Sequence, residues 1–422
     1  MKLQLSTRRT IAASLGAVVL VLAASGCSRA GAGTDSDTMQ FFFNMGADTP
    51  QYKVMAKIVD DFEEQTGDKI QVTAQSTNYE NDMKVKLAAN NVPDLFSTHG
   101  WSLLRYSDFL VPLTDQAWAE DVNPALDSAM RDSEGQIFAF PGETDTAGIL
   151  YNEDVLTEAG IDPKTLTTWD AFDAAAAKVA ATGKTAIYSS GKDQGPAGHM
   201  GDYLAAQTYS TAEGEQMKDG TFVQAPFEQM LDRVQQWREA GWFNKDYSSA
   251  STDDMARALA DGTTGFELFQ TVLLSQALTL NPEANLGFMP LPTTGDEKPY
   301  LVGGEGVDSF GVSKTSTHQD EALAFLDFLA EQDNAAALAE ATASAPGLTS
   351  VEVDFGTVAD SFDTYVTPGT TPVQPYFDRV YLPNGAWDTL IAVTDSVITG
   401  QSTVEAASTQ MGRQYKTLYG QQ

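Results

Sequence analysis

The fold is decided by residues 39–97, which read MQFFFNMGADTPQYKVMAKIVDDFEEQTGDKIQVTAQSTNYENDMKVKLAANNVPDLFS. Met39–Phe43 is apolar except for Gln40, which is typical of a buried strand. Thr49 and Pro50 then supply a helix N-cap and a proline at the first helical position. Apolar residues recur from there at helical spacing as far as Gly67. The opening of this segment therefore predicts a strand followed by an amphipathic helix.

The alternation of strands and helices continues to the end of the segment. Residues 70–74 alternate between apolar and polar, Met83 and Leu87 mark a second helix, and residues 94–97 form a third strand. Strands that alternate with helices predict an α/β fold with parallel pairing and right-handed crossovers. Ligands of such sheets bind beyond the carboxyl ends of the strands. Those ends are expected at 44–48, 77–79 and 98–101.

Length and composition limit the kind of protein this is. The chain has 422 residues, is 42% hydrophobic and carries a formal charge of −33. The hydrophobic content is that of a globular protein, and the length exceeds what one core usually holds, so two domains are expected. The acidic surface argues against binding to nucleic acid or to an anionic membrane surface.

The first 38 residues have the features of an export signal and a tether. Basic residues precede the apolar run at 11–24, small residues follow it, and Cys27 comes next as the only cysteine of the chain. We therefore predict a lipoprotein signal peptide over 1–26, lipidation of Cys27, and a flexible tether over 27–38. The alternatives are an ordinary secretory signal with a chance cysteine, and twin-arginine export through Arg8 and Arg9.

The remainder of the chain is rich in helical patterns and poor in catalytic motifs. Residues 317–341 predict one long helical stretch, and the tail from Trp387 predicts two helices broken near Gly400. No phosphate-binding loop, zinc-protease motif or serine nucleophile motif occurs, and three scattered histidines give no metal-ligand spacing. The sequence therefore indicates neither a metal nor a cofactor.

The segment IFAFPGETDTAGILYNEDVLTEAGIDPKTLTTWDAF at 137–172 resembles the corresponding stretch of extracellular solute-binding proteins of carbohydrate ABC transporters. Further similarities follow in the family's order, spread over about residues 38–420. They are Val92–Phe96, Glu239–Phe243 and Gly303–Lys314.

The resemblance implies a two-lobed α/β fold of the periplasmic-binding-protein type, with the ligand in a cleft that closes by hinge motion. It implies crossings between the lobes near 142–148 and 307–311, and a third within 346–366. The N-terminal lobe would hold 39–145 and 309–350, and the C-terminal lobe 146–308 and 351–422. The implied protein is a monomeric receptor, lipid-anchored at the outer face of the cytoplasmic membrane, that delivers an oligosaccharide to an ABC permease.

Sugars present apolar C–H faces and a rim of hydroxyls, so their sites need aromatic platforms and planar polar groups. The residues that meet this need, at predicted strand ends, helix starts and crossings, are Asn44, Asp48, Trp101, Asp145, His199, Asp202, Phe269, Gln270, Glu305 and Trp387. Each also has a structural reading, since Trp101 could be a core residue at a helix start and Asp145 a solvent-facing loop carboxylate.

Two other functions stay open at this point. A surface glycosidase would need two carboxylates about 5–9.5 Å apart, and among 58 acidic residues a pair such as Glu143 and Glu305 can always be nominated. A receptor for another solute, such as a peptide, is the second alternative.

Overall fold

The computed structural model describes residues 37–74, 79–98, 103–193, 195–206, 208–295, 297–306 and 308–420. Cys27, the predicted signal peptide and Trp101 lie outside these residues, as does the predicted tether up to residue 36. Thr38–Gln422 forms one compact unit. No helix in the described ranges combines the length and the apolar character that crossing a membrane requires.

The strands are β1 (Thr38–Phe43), β2 (Lys69–Ala74), β3 (Leu95–Ser97), β4 (Phe140–Pro141), β5 (Glu143–Thr144), β6 (Thr146–Asn152), β7 (Thr185–Ile187), β8 (Thr264–Gln270), β9 (Leu286–Met289), β10 (Leu301–Gly303), β11 (Ser309–Val312), β12 (Ala345–Pro346) and β13 (Val373–Gln374). The helices are α1 (Pro50–Thr66), α2 (Tyr79–Ala88), α3 (Leu103–Tyr106), α4 (Asp127–Met130), α5 (Glu153–Glu158), α6 (Trp169–Ala181), α7 (Gly195–Ala205), α8 (Thr211–Lys218), α9 (Gln224–Glu239), α10 (Thr252–Ala260), α11 (Val272–Leu280), α12 (Gln319–Leu329), α13 (Gln332–Thr342), α14 (Ala359–Tyr365), α15 (Phe377–Tyr381), α16 (Trp387–Ile398) and α17 (Val404–Tyr419).

The first sheet has the strand order β2-β1-β3-β11-β4. Its strands β1, β2 and β3 come from the segment that was quoted first, residues 39–97. β1 runs parallel to β2 and β3, as the alternation of strands and helices predicts, and β11 is antiparallel to β3 and β4. Thr49 caps α1 by accepting a hydrogen bond from the Tyr52 N–H, and Gly67 ends it at φ +87°. The predicted α/β fold is confirmed here.

The second sheet has the order β13-β10-β6-β8-β7, with β9 also paired to β6. β6 is buried along its whole length and pairs antiparallel with β8, β9 and β10. The two sheets and their separate cores give the fold its two lobes. The first core is built around Phe41, Phe62 and Phe310, and the largest core of the second lobe around Phe172 and Trp237.

Two chain segments pass directly from one sheet to the other. Residues 142–145 lead from β4 to β6, and residues 304–308 lead from β10 to β11. They are hydrogen bonded to each other, because the Gly142 N–H donates to the Asp308 carbonyl and the Asp145 N–H donates to the Glu305 carbonyl. We call these segments the first and second crossings. β12 pairs with β5 beside them.

The helical stretch predicted over 317–341 is not continuous. Helix α12 ends at Leu329 and α13 begins at Gln332, because Glu331 adopts extended backbone angles (φ −62°, ψ 143°). The Asn334 side-chain amide donates to the Phe328 carbonyl at the end of α12, which also accepts from the Glu331 N–H. The break predicted near Gly400 is present between α16 and α17.

Candidate functional site

A short segment of the second lobe lies against both crossings. We define the strap as residues 372–381, which include β13 and α15. β13 pairs with β10 and so fixes one end of the strap to the second sheet. Asp202 on α7, which is fully buried, accepts hydrogen bonds from the backbone N–H groups of Phe377 (3.2 Å) and Asp378 (2.7 Å). Asp202 therefore caps the first turn of α15 and holds the strap on α7.

The Asp145 carboxylate lies on the first crossing and joins three separate parts of the chain. Its Oδ1 accepts from the Glu305 N–H at 2.8 Å, and its Oδ2 accepts from the Tyr376 hydroxyl of the strap. The Gln270 side-chain amide, at the end of β8, donates to the same Tyr376 oxygen at 2.9 Å. Both crossings, the second sheet and the strap thus meet at one buried point.

Arg379 brings a positive charge to these carboxylates. Its Nε lies 3.4 Å from Glu305 Oε1 and its Nη1 lies 2.9 Å from Asp378 Oδ2. The Glu305 side chain is 8% exposed and that of Arg379 is 38% exposed. A partly exposed guanidinium is therefore paired with a buried carboxylate. The pair is the second link between the strap and the crossings.

The third part of the site is an aromatic face on α7. The His199 ring centroid lies 5.1 Å from Phe269, 5.2 Å from Trp387 and 5.5 Å from Tyr203. The approach of Trp387 requires a glycine on α7, because a Cβ at Gly198 would lie 2.9 Å from the indole ring. The packing of α7 against α16 thus builds this aromatic face.

Two polar atoms on the aromatic face are left without a hydrogen-bond partner by the described residues. His199 Nδ1 and the Tyr203 hydroxyl are buried, and neither has a hydrogen-bond partner among the described residues. Tyr203 is fully buried, and its ring lies 5.9 Å from that of Tyr376. Because buried polar groups are almost always hydrogen bonded, these two atoms are candidates for contact with a ligand.

Burial changes the charges that the site carries. Burial raises the pKa of Asp145 to about 6, although the Tyr376 hydrogen bond opposes this shift. It raises the pKa of Glu305 to about 8, opposed by the charge of Arg379. Burial and then the charge of Arg379 lower the pKa of His199 to about 3. Burial therefore disfavours the charged forms of all three groups, and His199 is neutral at pH 7.

The structure brings seven of the ten predicted site residues into contact with one another or with the strap. We call this group the interlobe cluster. Its members are Asp145, His199, Asp202, Phe269, Gln270, Glu305 and Trp387. Asn44 and Asp48 lie outside it, at the end of β1 in the first lobe, where the Asn44 N–H donates to Ser97 Oγ and Asp48 is exposed. Trp101 is not among the described residues.

Three further residues belong to the cluster and were not predicted from the sequence. Tyr203 lies one helical turn after His199, so the helical spacing could have identified it. Tyr376 and Arg379 carry no local signal, because the Tyr376 partner Asp145 is 231 positions away and the Arg379 partner Glu305 is 74 positions away.

The cluster has the chemistry to hold a polyhydroxylated ligand. It combines aromatic rings with carboxylate, amide, imidazole and phenol groups, which donate to or accept from hydroxyls. In the described part of the chain, no group of three His, Cys, Asp or Glu side chains is arranged to hold a metal ion. The nominated glycosidase pair is engaged by protein groups, since Glu143 accepts from the Asp308 N–H at 3.0 Å and Glu305 pairs with Arg379.

Comparisons with known proteins agree with this description. The profile of a family described as bacterial extracellular solute-binding protein matches residues 57–360. The melibiose/raffinose/stachyose-binding protein of Bacillus subtilis strain 168 is 30% identical over 421 residues, which cover 97% of this chain and 97% of that protein.

Two solved structures are similar in fold as well as in sequence. A sugar transporter protein of Bacillus licheniformis, solved in complex with stachyose, superposes with a TM-score of 0.79 at 30% identity, covering 90% of this chain and 100% of that one. A binding protein of B. subtilis in an open conformation superposes with a TM-score of 0.80 at 29% identity, covering 91% and 98%.

Proposed function

The chain belongs to the bacterial extracellular solute-binding proteins, and on that premise we propose that it captures an oligosaccharide at the interlobe cluster for an ABC importer. The observation that carries the proposal is the aromatic face of α7, with the unpartnered His199 Nδ1 and Tyr203 hydroxyl beside it. A sugar ring stacked on these aromatics would bring hydroxyls to both atoms. Melibiose, raffinose and stachyose are the first sugars to test, because relatives that bind them match nearly the whole chain.

The individual groups have distinct roles in this proposal. Trp387, which is partly buried, supplies the apolar surface with Phe269 and Tyr203 packed behind it, and neutral His199 supplies a hydrogen-bonding nitrogen. Micromolar affinity corresponds to about −8 kcal/mol, which a few stacked rings and hydrogen bonds can supply. Asn44, Asp48 and Trp101 would act from the first lobe when the two lobes close.

The wider setting of the protein follows from the predicted signal. We propose that residues 1–26 are removed, that Cys27 carries the lipid, and that the chain acts as a monomer at the outer face of the cytoplasmic membrane. Hinge motion at the crossings would separate 39–145 and 309–350 from 146–308 and 351–422, and the closed form would dock on the permease. No chemical step is part of this function, which agrees with a family of binding proteins.

The experiment that tests the proposal is thermal unfolding of the Thr38–Gln422 unit with and without each sugar. A ligand at 100 times its Kd adds about 2.7 kcal/mol to the stability of the folded protein, which raises the midpoint by several degrees. We expect a shift with at least one of the three sugars, which is then recovered intact by chromatography. Cleaved sugar would indicate a glycosidase, and no shift with any sugar would lead to peptides and other solutes.

A further inference from the structure

We propose that Tyr376 is a positioning residue of the ligand site, which holds Asp145 and Gln270 in the orientations in which they meet the sugar. This inference rests on the proposed function and concerns the same site. It is drawn from the contacts of one hydroxyl group, which donates to Asp145 Oδ2 and accepts from Gln270 Nε2 at 2.9 Å.

The Tyr376 hydroxyl joins the side chains of two residues, Asp145 and Gln270, to the strap. Asp145 lies on the first crossing and Gln270 at the end of β8, at the position paired with Ala147 of β6. A Gln side chain has three rotatable bonds, so an unheld amide would sample many orientations at the edge of the site. The hydrogen bond to a buried, rigid phenol restricts it to one.

The strap in turn fixes the Tyr376 ring. β13 holds the strap to β10, and Asp202 accepts the N–H groups of the two residues that follow Tyr376. Tyr376 itself is 4% exposed. Its hydroxyl is therefore placed by backbone contacts on both sides, and it can orient the side chains that it touches.

The same hydroxyl controls the charge of Asp145. The Tyr376 hydrogen bond lowers the pKa of a carboxyl that burial raises to about 6. The other groups facing Asp145 are Glu305 on the second crossing, Tyr203 on α7 and, farther along the strap, the ion pair of Asp378 and Arg379. Removal of the hydroxyl therefore moves the titration of Asp145 to higher pH, because the ionised form loses a donor.

The test compares Tyr376→Phe with Tyr415→Phe. Each substitution removes one buried hydroxyl donor, but that of Tyr415 on α17 donates to the Met217 carbonyl on α8 and not to a carboxylate. Calorimetric titration with stachyose, raffinose and melibiose gives Kd from pH 5 to pH 8. A ¹³C titration of the side-chain carboxyls, with Asp145→Asn used for assignment, gives the Asp145 midpoint without any ligand.

We expect Tyr376→Phe to weaken binding at pH 7.5 about tenfold and to move the Asp145 midpoint upward from about 6, while Tyr415→Phe changes neither. A folded Tyr376→Phe protein with unchanged Kd and unchanged Asp145 midpoint would overturn the inference. If the unsubstituted protein binds none of the sugars, the proposed function fails and the role at a sugar site fails with it. If only the inference fails, the unsubstituted protein and the Tyr376→Phe variant bind the sugar with the same Kd.

Discussion

A buried glutamate next to the site gives the most direct test of the energetics. Glu267 lies on β8, opposite Leu150 of β6, and is 0% exposed. Neither of its carboxylate oxygens has a hydrogen-bond partner among the described residues. Burial raises the pKa of Glu267 well above its ordinary value of 4.5, so the folded protein keeps this carboxyl protonated where the unfolded chain releases the proton.

The sign and size of the effect follow from proton linkage. A group whose pKa is raised on folding stabilises the folded state fully below its unfolded-state pKa, and that contribution is lost as the pH rises. The loss is about 1.4 kcal/mol for each pH unit as long as the folded carboxyl stays protonated. Between pH 4.5 and pH 7, Glu267 therefore lowers the free energy of unfolding as the pH rises, by at most about 1.4 kcal/mol for each pH unit.

Glu267→Gln removes this dependence, because the amide has nearly the same shape and does not titrate. We expect the stability of the variant relative to the parent to rise between pH 4.5 and pH 7, by at most about 1.4 kcal/mol for each pH unit, measured by urea denaturation of the Thr38–Gln422 unit. Glu283→Gln is the matched control, because Glu283 is exposed and the same change there removes no buried carboxyl. A difference between Glu267→Gln and the parent that does not vary with pH would refute the reasoning.

Two further substitutions test the crossings and the aromatic face. Gly304→Ala forces an L residue to φ +82° and places a Cβ 2.7 Å from the Ala125 carbonyl oxygen, so urea denaturation should show a loss of about 2–4 kcal/mol. Gly369→Ala, at φ +62° with open space around it, should lose only about 1 kcal/mol, and equal losses would contradict the clash. Trp387→Ala should weaken sugar binding about 10–100-fold, as measured by calorimetry. Trp242→Ala, which removes a partly buried tryptophan of the second lobe's core, should leave Kd unchanged. An unchanged Kd for Trp387→Ala would exclude Trp387 from the site.

Local features of the sequence determined much of the fold. The Thr49 cap, the apolar stripe of α1 and the left-handed Gly67 are properties of neighbouring residues, so they could be recognised without knowledge of the rest of the chain. The long helical pattern at 317–341 was misleading for the same reason. The helical spacing of apolar residues is not interrupted at Ala330 and Glu331. The extended backbone of Glu331 and the contact of Asn334 with Phe328 mark the break between α12 and α13.

The candidate site was predictable where residue type and position in an element were enough. The aromatic and polar residues at strand ends and helix starts, such as His199 and Phe269, fall in the cluster because the carboxyl ends of strands face the cleft in folds of this type. The same argument selected Asn44 and Asp48, which lie in the first lobe instead, since the end of β1 belongs to the other sheet.

The sequence by itself determined the α/β class, the caps and the types of residue that a sugar site needs, because each of these depends on short-range spacing and side-chain chemistry. The tertiary structure alone decided that Tyr376 meets Asp145 and that Arg379 meets Glu305, across 231 and 74 positions of chain. It also decided the charges, since burial and not residue type raises the pKa of Glu305 to about 8. Contacts between distant segments and the exclusion of water arise only when the two sheets, the crossings and the strap pack together.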